Sequence, residues 1–316
     1  MRAANPLVSV VVPVLDEEGC VSELADRVRA ALQQAAARHE ILFVDDGSRD
    51  RTPERILELR RHDPQVKTIR FTRRFGQQAA LAAGLRFARG DVVVTMDSDL
   101  QHPPEFLPEL LRAWREGFDV VHTVRRAPPR SRPDWKERGS RLFYRLMGLL
   151  TALPVVPAGA DFRLLDRRAV DAFNALEERF VFVRGLVPWL GFPETRLEYD
   201  VGPRFADRSK YSLLHMLRLA LDGVFSFSVL PLRLITALGL VTTLLGVLYG
   251  AFALVAWIAG RVSEPGWTSL IVLVLVFGGV QLLSIGVVSE YVGRTYEEVK
   301  RRPRYVIDRV EGVEAP

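Results

Sequence analysis

Asp97-Ser98-Asp99 closes the apolar run Val92 to Met96 and so delivers two carboxylates to one edge at spacing i, i+2. Oxygen pairs of that kind grip hard divalent ions such as Mg or Mn, and a nucleotide diphosphate can complete the ion's shell. The same triplet also arises as a turn or a helix cap. Two further acidic segments shift that balance: Leu15-Asp16-Glu17-Glu18 follows Val8 to Pro13, and Asp45-Asp46-Gly47-Ser48 ends the run from Glu40. So many carboxylates are unsuited to holding phosphate directly and imply a mediating cation. The five histidines, His39, His62, His102, His122 and His215, show no ligand spacing, so no zinc site is expected. Neither Gly-x-Gly-x-x-Gly nor the phosphate loop ending Gly-Lys-Ser/Thr occurs, which removes the main support for a dehydrogenase or an ATPase.

The elements that must position these groups are legible as an alternation. Val8 to Pro13, Glu40 to Asp45, Val66 to Phe71, Val92 to Met96 and Val120 to Thr123 are short and rich in β-branched residues, as parallel strands covered on both faces are. Between them lie helix-sized stretches, Cys20 to Ala37, Thr52 to Arg61, Gln77 to Arg89 and Glu105 to Glu116, some opened by capping residues such as Ser48 or Thr52. The alternation predicts an α/β, Rossmann-like sheet with helices on both faces. Ligands then sit beyond the carboxyl ends of the strands, where the acidic segments lie.

Beyond about Tyr211 the character changes. From Leu234 to Ser289 the only charges are Arg261 and Glu264. Leu234 to Gly260 would reach roughly 40 Å as a helix, more than the roughly 30 Å of a bilayer core. Pro265 to Ser289 is similar, and a buried core helix is shorter than either. The expected organisation is a soluble domain over 1–211, an amphipathic interfacial helix over 212–231, membrane spans over 232–260 and 265–289, and a basic tail over 290–316. Arg218 and Arg233 flank one outer end of the spans and Arg294, Lys300, Arg301, Arg302 and Arg304 the other, which places both termini on the cytoplasmic side. No signal peptide is read at the N-terminus, where the apolar run is strand-sized and lacks a small-residue cleavage site.

The formal net charge is +5, but the basic residues gather beside the apolar spans and in a few loops, so membrane surface and phosphate ligands are better partners than nucleic acid. Cys20 is the only cysteine, so no internal disulfide can form, as in a domain kept in a reducing compartment. Gly278 and Gly279 could pack one span on the other or join spans of a homo-oligomer.

The pattern as a whole resembles the inverting GT-A glycosyltransferases of the dolichyl-phosphate mannosyltransferase and polyprenyl-phosphate glucosyltransferase group. The likeness runs through Val10 to Glu18, Val44 to Ser48, Arg74-Phe75-Gly76, Met96 to Pro103, Asp161 to Asp166, Arg204 to Tyr211, Ser226 to Leu232, Glu290 to Arg294 and Lys300 to Pro303. It implies nucleotide contacts at Pro13, Leu15, Glu17 and Asp45, with Asp46 in the same loop and Ser98 beside them. It implies a Mg or Mn ion held by Asp97 and Asp99, with Gln101 as a further metal or phosphate contact. Arg125, Arg204 and Lys210, and more loosely Arg138, match basic residues that engage phosphates of donor or acceptor, and Asp161 matches the residue given the catalytic role. Departures fall at Asp16 and Arg74, where Asn is frequent, at Gln77, where Lys is common, and at Asp207, where Gly usually precedes Ser-Lys.

Independent of the resemblance, a doubly charged lipid phosphate beside a diphosphate needs several cations. Such an acceptor, with a second pKa near 6, also needs little activation at neutral pH. Asp161 is therefore expected to orient substrate rather than to act as a strong base. The leading reading is hexose transfer, first from UDP-glucose, to a polyisoprenyl phosphate such as undecaprenyl phosphate at a bacterial inner membrane. GDP-mannose or UDP-amino-sugar donors come next. A processive polysaccharide synthase would require Gln-x-x-Arg-Trp, which Arg184 to Trp189 does not match, and a non-catalytic membrane scaffold would have lost the carboxylates that are present here.

Overall fold

A computed structural model describes residues 2–3, 5–126, 159–178, 182–200, 228–260 and 266–313. Arg138, Arg204, Asp207, Lys210 and most of the expected interfacial segment lie outside the described residues. The chain divides into two compact units, Met1–Arg145 with Leu153–Tyr211 and Arg302–Pro316, and Leu146–Ala152 with Ser212–Arg301.

The first unit is built on strands β1 (Leu7–Val14), β2 (Arg38–Asp45), β3 (Val66–Phe71), β4 (Val92–Thr95), β5 (Val120–Arg125), β6 (Gly159–Asp166), β7 (Glu194–Tyr199) and β8 (Ile307–Glu311). They form one sheet in the order β7-β5-β6-β4-β1-β2-β3-β8. β1 pairs in parallel with β2 and β4, β2 with β3, and β5 with β7. The helices are α1 (Val21–Gln34), α2 (Thr52–His62), α3 (Gln77–Phe87), α4 (Leu107–Arg115), α5 (Arg167–Asn174) and α6 (Val183–Trp189). α1 turns Val21, Leu24, Ala25, Val28, Ala31 and Leu32 inward, the helical spacing of a core-facing stripe. α3 presses on β1 so closely that a Cβ on Gly84 would run into the Val11 side chain.

Three features depart from the reading of the sequence. β6 runs antiparallel between β4 and β5, so the fifth strand does not pair with the fourth. The segment read as a basic tail instead continues as helix to Val299 and then lays β8 antiparallel on β3, where it satisfies an edge that would otherwise stay unpaired. Tyr305 stacks on Phe71 there, with ring centroids 4.9 Å apart. Finally, the first N–H of α2, on Thr52, donates to Asp50 Oδ1 at 3.0 Å, while the Ser48 and Thr52 side chains are used elsewhere.

The second unit contains α7 (Leu230–Ile258) and α8 (Trp267–Val299). Both are long and apolar enough to cross a membrane, with 18-residue stretches of mean hydropathy 1.9 within Leu230–Ala253 and 2.3 within Val272–Val299. The Tyr291 hydroxyl donates to the Ser228 carbonyl oxygen at 2.5 Å within this unit.

Candidate active site

The loops after β1 and β2 are stitched together by side chains. The backbone N–H groups of Asp16, Glu17 and Glu18 donate to Ser48 Oγ at 3.0 Å, Thr52 Oγ1 at 2.8 Å and Asp50 Oδ2 at 3.2 Å. In return Asp16 Oδ1 accepts from Arg49 N–H at 2.8 Å and Glu18 Oε2 from Arg51 N–H at 3.1 Å. Ser48 and Thr52 therefore serve the neighbouring loop's amides instead of capping a helix, because those amides have no strand partner once β1 ends. Asp16 sits at φ 58°, in the left-handed region that Asn tolerates best and Asp next. Gly47 has φ +79°, and a Cβ there would stand 2.8 Å from the Arg73 carbonyl carbon, so only glycine fits between the two loops.

Asp45 is buried at the end of β2. Its Oδ1 accepts from Ser48 N–H at 2.8 Å. Oδ2 lies 3.4 Å from Arg70 Nε but has no hydrogen-bond donor among the described residues. Burial pushes this carboxyl up. The Asp46 carboxylate accepts from Phe75 N–H at 2.6 Å and Gly76 N–H at 2.9 Å, which fixes the turn into α3. Burial raises Asp46 too, partly offset by those amides. Glu17 is raised by burial and by the nearby Asp99 and Asp50 charges, against a hydrogen bond from the Cys20 thiol. Pro13, in register with Val44, is buried within β1, and Leu15 is half-buried just beyond it.

The β4–β6 register explains the next pair. Val93 faces Leu165 and Thr95 faces Arg163. Two residues further along the same antiparallel register, Asp97 comes opposite Asp161. Gln77, the first residue of α3, donates from Nε2 to Asp97 Oδ1 at 2.7 Å and to Asp161 Oδ2 at 3.4 Å, so one neutral amide bridges the two carboxylates. Asp97 keeps 26% of its side-chain exposure, yet desolvation and the charges of Asp161 and Asp99 push its carboxyl up to about 7. Asp99 Oδ1 accepts from Gln101 N–H at 3.1 Å, in a turn with Leu100 at φ 60°. Ser98 and Gln101 are buried beside it.

Asp161 has the opposite electrostatics. It is 1% exposed, and Arg184 grips it in a fork, Nε to Oδ1 at 2.8 Å and Nη2 to Oδ2 at 2.9 Å. Arg163 Nη2 adds a bond to Oδ1 at 3.4 Å. Burial alone would raise this carboxyl, but the two arginines outweigh it and hold Asp161 below the usual range. Arg163 itself is pulled down by burial to about 10 and stays protonated at neutral pH. His102 is buried, accepts from Asp97 N–H through Nδ1 at 3.0 Å, and stacks on Phe162. Burial, then Arg125, lowers it to about 3, so it is a neutral supporting group. Arg125, exposed at the end of β5, donates from Nε to the Tyr199 hydroxyl at 3.3 Å.

The structure thus brings Pro13, Leu15, Glu17, Asp45, Asp46, Asp97, Ser98, Asp99, Gln101, Asp161 and Arg125 to one end of the sheet. Sequence reasoning missed Arg184 and Arg163 and treated Gln77 only as a departure. Arg184 and Gln77 carry no local signal, because each is defined by a partner distant in sequence, and Arg163, two residues from Asp161, reads as one more strand residue. Among the described residues no group of three or more His, Cys, Asp or Glu side chains forms a ready metal cage. The donor set nonetheless suits a hard cation: two carboxylate residues, one held near neutrality by crowding that a cation would relieve. The remaining ligands would have to come from a substrate.

A mostly parallel mixed sheet with acidic loops at its strand ends is the GT-A architecture of glycosyltransferases. The chain belongs to glycosyl transferase family 2, whose pattern it matches over residues 9–173, and residues 230–295 match the GtrB C-terminal hairpin. It is 40% identical to an uncharacterized glycosyltransferase of Synechocystis sp., covering 97% of this chain and 96% of that one. It is 38% identical to the bactoprenol glucosyl transferase of Shigella phage SfII, covering 95% of this chain and 97% of that one. Glucosyl-3-phosphoglycerate synthase from Mycobacterium tuberculosis, solved with Mn2+ and uridine diphosphate, shares the fold with a TM-score of 0.51 and 21% identity, over 71% of this chain and 81% of that chain.

Proposed function

We propose that this glycosyltransferase moves a hexose, glucose as first choice, from a uridine diphosphate sugar to a polyisoprenyl phosphate such as undecaprenyl phosphate, with inversion at the anomeric carbon. The observation that carries the reading is one chain joining an acidic strand-end site to an apolar hairpin, matched along nearly its whole length by proteins named bactoprenol glucosyl transferase. In a single displacement a phosphate oxygen of the lipid attacks the anomeric carbon, a new C–O bond forms, and the bond to the nucleotide diphosphate breaks. The acceptor oxygen is already anionic at neutral pH, so no strong base is required. An Asp161 held ionised and low by Arg184 and Arg163 fits a positioning role.

Asp45 Oδ2, a buried acceptor with no hydrogen-bond donor among the described residues, suits an N–H of the base. Asp97 and Asp99, with Gln101, would hold Mg or Mn, which when bound offsets the charge of the departing diphosphate. Bound Mn2+ in the structural neighbour supports that choice. Arg125, with Arg204, Lys210 and Arg138, would engage phosphates. The hairpin would sit in a bacterial inner membrane with the catalytic domain and both termini cytoplasmic.

Transfer of radiolabel from a panel of nucleotide sugars to undecaprenyl phosphate in detergent, with and without Mn, tests this. Labelling of the lipid by one donor, lost in Asp99→Ala, is the expected result. No labelled lipid from any donor, in folded protein, would overturn it.

A further inference from the structure

Asp161 is sealed from solvent and Arg184 is not: the carboxylate is 1% exposed and the arginine side chain 36%. Whatever arrives at this part of the site meets a guanidinium before it meets the carboxylate behind it. Arg184 is fixed at both ends. Next to it in α6, Val183 N–H donates to Gln78 Oε1 at 2.9 Å, and the Val183 carbonyl oxygen accepts from Arg163 Nη1 at 3.3 Å. Its head is fixed by the fork on Asp161, Nε to Oδ1 and Nη2 to Oδ2. A planar cation held this way has lost its rotamer freedom before any ligand binds, which favours tight recognition of a tetrahedral oxyanion.

The sheet order also says which oxyanion. β6 lies on the far side of β4 from β1 and β2, so Arg184 stands across Asp97 and Asp99 from the Asp45 loop. A nucleotide held by that loop would present its diphosphate to Asp97 and Asp99, leaving the Arg184 side to the second substrate.

We propose that Arg184 binds the phosphate of the acceptor, with Asp161 as the positioning residue that aims it. The inference rests on the reading that the acceptor is a phosphate monoester. It makes the Asp161–Arg184 pair one functional unit in which the arginine touches substrate.

The test measures binding to the full chain in detergent, with Mn present, of two probes separately: farnesyl phosphate, a short polyisoprenyl monophosphate, and uridine diphosphate. Arg184→Gln should weaken farnesyl phosphate by about tenfold or more, the range of a lost charge-assisted hydrogen bond. Arg184→Lys, which keeps the charge without the fork, should lose less, and uridine diphosphate should bind all three proteins within about twofold. Asp161 retains Arg163 in the Gln variant, so no buried charge is orphaned. Native-like binding of farnesyl phosphate by Arg184→Gln overturns the proposal, as does native protein that does not bind the probe. Loss of uridine diphosphate alone assigns Arg184 to the donor and overturns it too, as does equal loss of both, which makes Arg184 a structural support of the whole site. Arg184-dependent binding in a protein that labels no lipid would sink the proposed reaction while leaving the phosphate site standing.

Discussion

The acidic loops after β1 and β2 and the acidic pair across β4 and β6 are built from the same residue types and end with opposite electrostatics. On the first side the carboxylates of Asp16, Glu18, Asp45 and Asp46 accept from backbone N–H groups, which orient them without cancelling their charge. On the second side Asp161 is held by two arginines and neutralised. Asp97, between the two, accepts on its carboxylate from the neutral amide of Gln77, with the neutral His102 ring 3.7 Å away, and is pushed up to about 7 by burial and by the acids around it. The partner, more than burial, decides whether a buried acid waits for a cation or anchors one already present.

Replacing Asp97 by Asn should break the comparison most severely. Metal-dependent labelling of the lipid is expected to fall by about a hundredfold or more in a fixed-time assay, in line with losing a charged group that acts at the reacting centre. Asp161→Asn should act on the other side, raising KM for the acceptor by about tenfold with a smaller change in kcat, because Arg184 loses its aim. A loss confined to kcat would show that Asp161 does more than position.

Gln77→Lys is a milder change. An ammonium between Asp97 and Asp161 would lower the Asp97 carboxyl and compete with the divalent ion, so the Mn concentration for half-maximal activity should rise severalfold, by about 0.5–1.5 kcal/mol of coupling. An unchanged Mn requirement would mean that the bridge seen in the fold does not reach the metal.

The smallest effect is on stability against pH. An acid raised in the folded state binds more protons there than in the unfolded chain between its two pKa values, so its contribution to stability falls as pH rises from about 4 to about 7. Asp161 is depressed, so its contribution is present above the unfolded pKa and is lost only as pH falls through its lower folded value. In metal-free buffer the Tm of Asp97→Asn should therefore gain on the native protein between pH 5 and pH 8, and added Mn should close the gap. A gap that does not move with pH would refute the crowding of Asp97.

Much of the site was legible because it rides on short apolar strands whose ends the sequence marks: Val92 to Met96 leads straight to Asp97, and Glu40 to Val44 to Asp45. β6 was not, because Gly159–Asp166 looks like any short strand until its antiparallel register with β4 is known, and that register is what sets Asp161 opposite Asp97. Arg184 was hidden for a related reason. One arginine in a short helix has no periodic signature, and its meaning comes only from a carboxylate on another element. The two long helices were plain from their unbroken apolar length, whereas the strand beyond them, Ile307–Glu311, is short and partly charged and finds its place through the open edge of β3.

That last strand sets an order of assembly. β3 is made early, while its edge partner follows both long helices, so at about 5–20 residues per second a ribosome leaves that edge uncovered for on the order of tens of seconds. Until that strand arrives, the half-finished sheet carries an open row of hydrogen-bonding groups, Phe71 lacks the ring of Tyr305, and the nascent chain depends on whatever shields it during synthesis.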